Sequence, residues 1–159
     1  MQSQYDREMA KPMWQELANI GVRPLTTPEE VDETLTKTEG STLLVVNSVC
    51  GCAAGNARPG VAMALQHKLI PDNLATVFAG VDLEATAKAR EYIKGYPPSS
   101  PSITLFKDGK VVAMLERHQI EGVSAQGIAE TLKAEFDKHC SKEGPSVSED
   151  VLKQAFGIA

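Results

Sequence analysis

Apolar residues along the chain follow two different rhythms. Between residues 5 and 20, Met9, Met13, Leu17 and Ile20 fall near one face of a weakly amphipathic helix. "TTPEEVDETL" then announces a second helix. Thr27 is a good N-cap, Pro28 suits the first helical position, and Glu30 completes a capping box three residues after the cap. Val31 and Leu35, four apart, form its inner face. In "STLLVVNSV" the period disappears into a continuous β-branched apolar run, as expected of a central strand buried on both faces. "AAGNARPGVAMALQHKL" reads as a helix with a poor first turn, kinked at Pro59, which has no N–H and whose ring displaces a carbonyl. "LATVFAGVDL" predicts a second apolar strand, and "EATAKAREYIKG" a helix stopped by Gly95.

The strongest local signal is "SITLFKDGKVVAMLER". Two apolar runs flank Asp108-Gly109, a pair suited to the positive φ of a tight hairpin turn. "GVSAQGIAETLKAEFDKHC" is a helix with Ile128, Leu132 and Phe136 spaced four apart. The tail reads as a loop and a short helix starting near Ser148. The order α-α-β-α-β-α-β-β-α implies a parallel pair joined by a helical crossover and a late antiparallel hairpin. The class is therefore α/β, a mixed central sheet flanked by helices.

No repeat, low-complexity tract or linker interrupts the 159 residues, so one domain over 1–159 is expected. It carries an extra N-terminal helical segment over 1–24 and a C-terminal extension over 141–159. The formal net charge of −5 argues against a nucleic-acid partner, and no apolar run reaches the ~20 residues of a membrane helix. The opening residues lack the basic and apolar regions of a secretory leader. Three cysteines are too few, and odd in number, for a disulfide framework, which places the chain in the reducing cytoplasm. The terminal segments leave a homodimer open.

Composition leaves the chemistry undecided, but "NSVCGCAAGNARPG" narrows it. Cys50 and Cys52 stand where a strand hands over to a helix, a place where reactive groups collect in α/β sheets. A sulfur ahead of a helix meets unpaired N–H groups and the positive end of the dipole, and both favour the nucleophilic thiolate. An ordinary thiol with pKa ~8.5 is only about 3% ionised at pH 7. Half ionisation at that pH needs about 2 kcal/mol, whereas the dipole supplies about 0.3–1 kcal/mol. Direct N–H donation near Cys52 and Ala53 must provide the remainder. Cys50 is thus assigned as the attacking sulfur and Cys52 as the resolving one. Gly51 between them has the backbone freedom that a small ring through both sulfurs demands.

The βαβ…ββα order, with paired cysteines ending the first of these strands, resembles the thioredoxin fold. That resemblance implies a cis bond at Ser100-Pro101, with the proline against Cys50 and the backbone of Ser100 offered to an extended substrate. "NSVCGCAAGNARPG", the Ser-Pro before "ITLF", and "ERHQIEG" over 116–122 together resemble the bacilliredoxin family across nearly the whole chain. The resemblance implies a redox-active CGC motif that removes bacillithiol from S-bacillithiolated client proteins, with disulfide isomerase activity also attributed to the family. Cys50 would take bacillithiol as a mixed disulfide and Cys52 would release it. Bacillithiol would be a co-substrate, and no bound cofactor is implied.

Other readings stand beside this one. The pair could bind zinc, but two of four tetrahedral ligands would be missing, with His139-Cys140 the other candidate cluster. An iron–sulfur cluster shared across a dimer, or inert packed thiols, follow the same logic. Cys140 is expected to be non-catalytic, and His118 to be a structural hydrogen-bonding residue. His67 and His139 are expected to favour helix ends, Met9 and Met13 to enter the core, and Arg58 to sit on a solvated helix position or attract an anionic thiol.

Overall fold

The structure is a computed structural model describing residues 3–157. Its sheet has five strands in the order β1 (Arg23–Pro24), β4 (Asn73–Phe78), β2 (Ser41–Asn47), β5 (Ser102–Lys107) and β6 (Lys110–Leu115). β2 runs parallel to β4 and antiparallel to β5, and β5 and β6 form the hairpin. Asp108 and Gly109 both take positive φ at its turn. A small antiparallel pair, β3 (Leu69–Ile70) with β7 (Lys142–Glu143), lies apart from the main sheet.

Every residue of β2 is buried because helices cover both faces of the sheet. Leu43 and Val45 point to one side with Ile103 and Leu105. There they meet α3 (Arg58–Ala64), α6 (Ala125–His139) and Leu17 of α1 (Arg7–Ala18). Leu44 and Val46 point to the other side with Val77 and Phe106, against α2 (Pro28–Leu35) and α4 (Leu83–Tyr92). Ile128, Leu132 and Phe136 are all buried, so the four-residue spacing is the inner face of α6. Each such side chain contributes about 1.5–3 kcal/mol by leaving water. α3 and α6 approach closely at Gly60, where an added Cβ would lie 2.7 Å from Ile128 Cγ2.

Thr27 caps α2 by accepting from the Glu30 N–H at 3.2 Å. Glu30 reaches back to the Thr26 N–H, one residue before the cap, and these Thr26 contacts hold its carboxyl below the usual range. α7 (Glu149–Phe156) is capped by Ser148 and buries Leu152 in the α3–α6 core. Ser146 Oγ donates to the Ile20 carbonyl at 2.9 Å, which ties the C-terminal segment to the N-terminal one.

Two helices differ from expectation. The helix predicted as one unit after Cys52 is a π-helical turn over Ala53–Ala57 followed by α3, which ends at Ala64. The Arg58 N–H reaches back five residues to the Ala53 carbonyl. Pro59 falls in the first turn of α3, where a missing N–H is harmless, so the distortion precedes the proline. In α1 the inward stripe is Ala10, Met13 and Leu17, and Met9, adjacent to it, is 56% exposed. Met9 is therefore not a core residue.

Strand direction positions the site. β2 and β4 end at one rim of the sheet, with Asn47 opposite Phe78. β5 begins at that rim, with Ser102 opposite Val46, and β6 ends there, with Leu115 opposite Ile103. The segments after β2, after β4, before β5 and after β6 therefore converge. No described helix is long and apolar enough to cross a membrane.

Candidate active site

Helical backbone begins at Gly51, and the Cys50 carbonyl accepts from the N–H groups of Ala53 (3.1 Å) and Ala54 (3.3 Å). Cys50 therefore stands at the cap of this first turn, the position from which a side chain collects otherwise unpaired N–H groups. The Cys50 and Cys52 sulfurs are 2.7 Å apart and both are half-buried. Burial works against ionisation of Cys50. The Cys52 thiol, the Ser48 hydroxyl and the backbone N–H groups of Ala53 and Cys52 outweigh it by donating to the sulfur. The net result holds Cys50 below the ordinary thiol value. Cys52 is pushed up, first by burial and then by its thiol hydrogen bond and proximity to Cys50. One environment thus favours ionisation of Cys50 and opposes that of Cys52, the asymmetry that suits an attacking and a resolving thiol.

The loop carrying the pair is held from below. Arg58 is only 4% exposed and pairs through Nε with Glu16 of α1. Its Nη1 donates to Asn47 Oδ1 at 3.0 Å and to the Ser48 carbonyl at 3.2 Å. Asn47 Oδ1 also accepts from the Ser48 N–H at 2.9 Å, and its Nδ2 donates to the Met13 carbonyl. The expectation of a solvated or substrate-attracting Arg58 is thereby corrected. Glu16, distant in sequence, draws it inward, and α1 becomes a buttress for the strand-to-helix turn.

The Ser100–Pro101 bond is cis, and Ser100 faces Cys50 across a cleft of about 190 Å³. Tyr5, Ser48, Gly80 and Arg117 help line it. The N–H groups of Gln4 and Tyr5 both donate to the Gly80 carbonyl, which fixes that wall. Arg117 was absent from the sequence-predicted set. It follows β6, begins the short helix α5 (Arg117–Ile120), and donates through Nη1 to the Ser100 carbonyl at 3.3 Å. Its own N–H donates to Ser99 Oγ at 2.7 Å, and Nε pairs with Glu121 at 3.1 Å. Its charge favours ionisation of Cys52, and that of Glu121 opposes it. The only available signal was its place within "ERHQIEG", far from the cysteines in sequence.

The remaining candidates lie apart from the pair. Cys140 is buried at the end of α6, its thiol pushed up by burial, an effect partly offset by Ser41 at the start of β2. The six steps along β2 from Ser41 to Asn47 span roughly 20 Å, so this thiol is remote from Cys50. His118 is exposed on α5 and makes no side-chain hydrogen bond among the described residues, contrary to the structural role expected of it. His67 pairs with Asp137 at 2.8 Å and His139 with Glu135 at 3.5 Å. No group of three or more His, Cys, Asp or Glu able to hold a metal ion occurs among the described residues.

A family profile described as "Disulphide isomerase" matches residues 5–140. A bacilliredoxin of Cytophaga hutchinsonii is 56% identical over 134 residues, covering 84% of this chain and 98% of that protein. A bacilliredoxin of Staphylococcus aureus is 52% identical over 127 residues, covering 80% and 87%. The chain belongs to the bacilliredoxin family. Among solved structures, oxidised thioredoxin O2 of Arabidopsis thaliana aligns with TM-score 0.51 at 15% identity, over 73% of this chain and 95% of that one. Oxidised mitochondrial thioredoxin 3 of Saccharomyces cerevisiae aligns with TM-score 0.50 at 17% identity, over 76% and 98%. Those two likenesses show the thioredoxin-like fold. As a member of the bacilliredoxin family, the protein is a thiol–disulfide oxidoreductase.

Proposed function

We propose that the protein reduces mixed disulfides between bacillithiol and cytoplasmic client proteins. The observation that carries this reading is Cys50, capped by main-chain donors and opening on the cleft, with the Cys52 sulfur 2.7 Å away. The Cys50 thiolate attacks the bacillithiol sulfur of the mixed disulfide. The client cysteine leaves as a thiolate and takes up a proton, and bacillithiol becomes disulfide-bonded to Cys50. Cys52 then gives up its proton and attacks Cys50 Sγ. Bacillithiol departs as the thiol, leaving a Cys50–Cys52 disulfide. Two electrons pass from the dithiol to the client. Gly51 lets the ring close, and Ser100, beside cis Pro101, offers its backbone to the extended client segment.

The family profile's description favours a second reading, rearrangement of protein disulfides. The two readings part in a direct comparison on one protein preparation. Bacillithiol release from a modified client is expected to exceed refolding of a scrambled disulfide protein by at least about tenfold in kcat/KM, a preference of ~1.4 kcal/mol. The reverse ratio would assign the protein to isomerisation.

A further inference from the structure

Behind the cis-proline loop lies a second cavity, of about 170 Å³, lined by Val46, Arg90, Tyr96, Ser99, Ser102 and Met114. It is several times the ~30 Å³ that one water occupies in the liquid. Arg90 enters it from the last turn of α4. A cation there complements the helix dipole, which accounts for the sign of the charge but not for its surroundings. Long cationic side chains ordinarily bury the stem and leave the head in water. Arg90 as a whole is partly exposed, but its Nε is buried without a hydrogen-bond partner. Burial lowers its pKa from the ordinary arginine value. One turn earlier on α4, Thr86 Oγ1 is likewise buried without a partner. A buried donor left without an acceptor is costly, and an anionic group entering the cavity would supply one. The hydroxyl-bearing residues Ser99, Ser102 and Tyr96 line the same cavity, and such groups are suited to orienting a carboxylate.

This cavity and the Cys50 cleft share one wall. Ser99 lines the former and Ser100 the latter, and Arg117 bonds to both residues. Crossing two or three residues of that loop is a distance of roughly 7–10 Å, within reach of a substituent on a small thiol.

We infer that the cavity is a carboxylate subsite, in which Arg90 holds a carboxylate of the small thiol while that thiol's sulfur lies against Cys50. The inference rests on the proposed reduction of mixed disulfides carrying an anionic thiol, and it adds the residue that selects the charge. Arg117 secures the loop between the two sites, and Arg90 reads the far end of the substrate.

Binding is tested first without redox chemistry, by titrating the reduced, isotope-labelled full chain with succinate and following its NMR spectrum. Saturable shifts are expected at Arg90 Nε–H and at the amides of Ser99 and Ser102, and they should vanish in Arg90→Gln. Shifts confined to Arg117 and Cys50, or none, would overturn the inference. This arm needs only the unmodified chain, so a misfolded variant does not remove it. Kinetics supply the second arm, with one reporter protein carrying either glutathione or 2-mercaptoethanol on the same cysteine. The kcat/KM ratio of charged to neutral disulfide is expected to fall about tenfold in Arg90→Gln, chiefly through KM, with partial recovery in Arg90→Lys. An unchanged ratio contradicts the subsite. If Arg90 instead matters only when acidic residues flank the reporter cysteine, the carboxylate belongs to the client and the assignment to the small thiol falls. Succinate binding without any preference for bacillithiol would sink the proposed function and leave the subsite standing.

Discussion

A Cys50→Ala variant is expected to lose at least about a thousandfold of its disulfide-reducing activity, because the thiol whose ionisation the fold favours is gone. A Cys52→Ala variant should instead complete the first exchange and stop. Mass spectrometry would then find one small thiol added to the protein, less two hydrogens, and dithiothreitol would remove it. The two outcomes differ because the pair is asymmetric. Cys50 caps the helical turn and collects N–H donors, whereas Cys52 is held as the thiol by burial and by its neighbour. pH dependence carries the same sign. Since the folded Cys50 pKa lies below the ordinary thiol value, the first step stays fast below that value and slows only as pH falls through the depressed pKa. Turnover by Cys50→Ala, or an adduct trapped on Cys52 in that variant, would contradict the assignment.

The second large effect is on stability. Arg58→Met removes a guanidinium that is 5% exposed and leaves Glu16, 25% exposed, without its partner. Breaking a buried pair from one side costs about 3–5 kcal/mol, and the partial exposure of Glu16 places this case near the lower end. For a chain of this length ~3 kcal/mol corresponds to a fall in Tm of roughly 6–12 °C. Glu16→Gln added to Arg58→Met should recover part of that loss, because the orphaned charge is then gone. The site should suffer as well, since Arg58 also positions Asn47 and the Ser48 carbonyl beneath the cysteine turn. Calorimetry on the two variants checks the ordering. A Tm within about 2 °C of the parent would show that the pair does not brace the loop.

Much of the fold was legible because it rests on local chemistry. The unbroken run Leu43–Val46 marked a strand covered on both faces, Asp108-Gly109 marked the hairpin, and Ile128, Leu132 and Phe136 marked the inner face of α6. β1, β3 and β7, two residues each, exist only through their pairing partners and carry no local signature. Met9 misled because neighbouring positions on a short helix differ little in periodicity, and tertiary packing chose Ala10. At the site, Cys50 and Cys52 were readable from their place between strand and helix. Arg58 was not, since an arginine is ordinarily solvated and only Glu16, 42 positions earlier, draws it in. Arg117 and Arg90 reach the cis-proline loop only because strand direction gathers four chain segments at one rim. A linear reading has no access to that convergence.

The account depends on Cys50 being ionised by its main-chain setting, and thiolate absorbance at 240 nm tests it most directly. Reduced protein titrated with pH should show one thiol ionising below the ~8.5 of an unfolded cysteine, ahead of Cys52, and lost in Cys50→Ala. Ionisation of Cys50 at or above ~8.5, or after Cys52, would contradict the central claim.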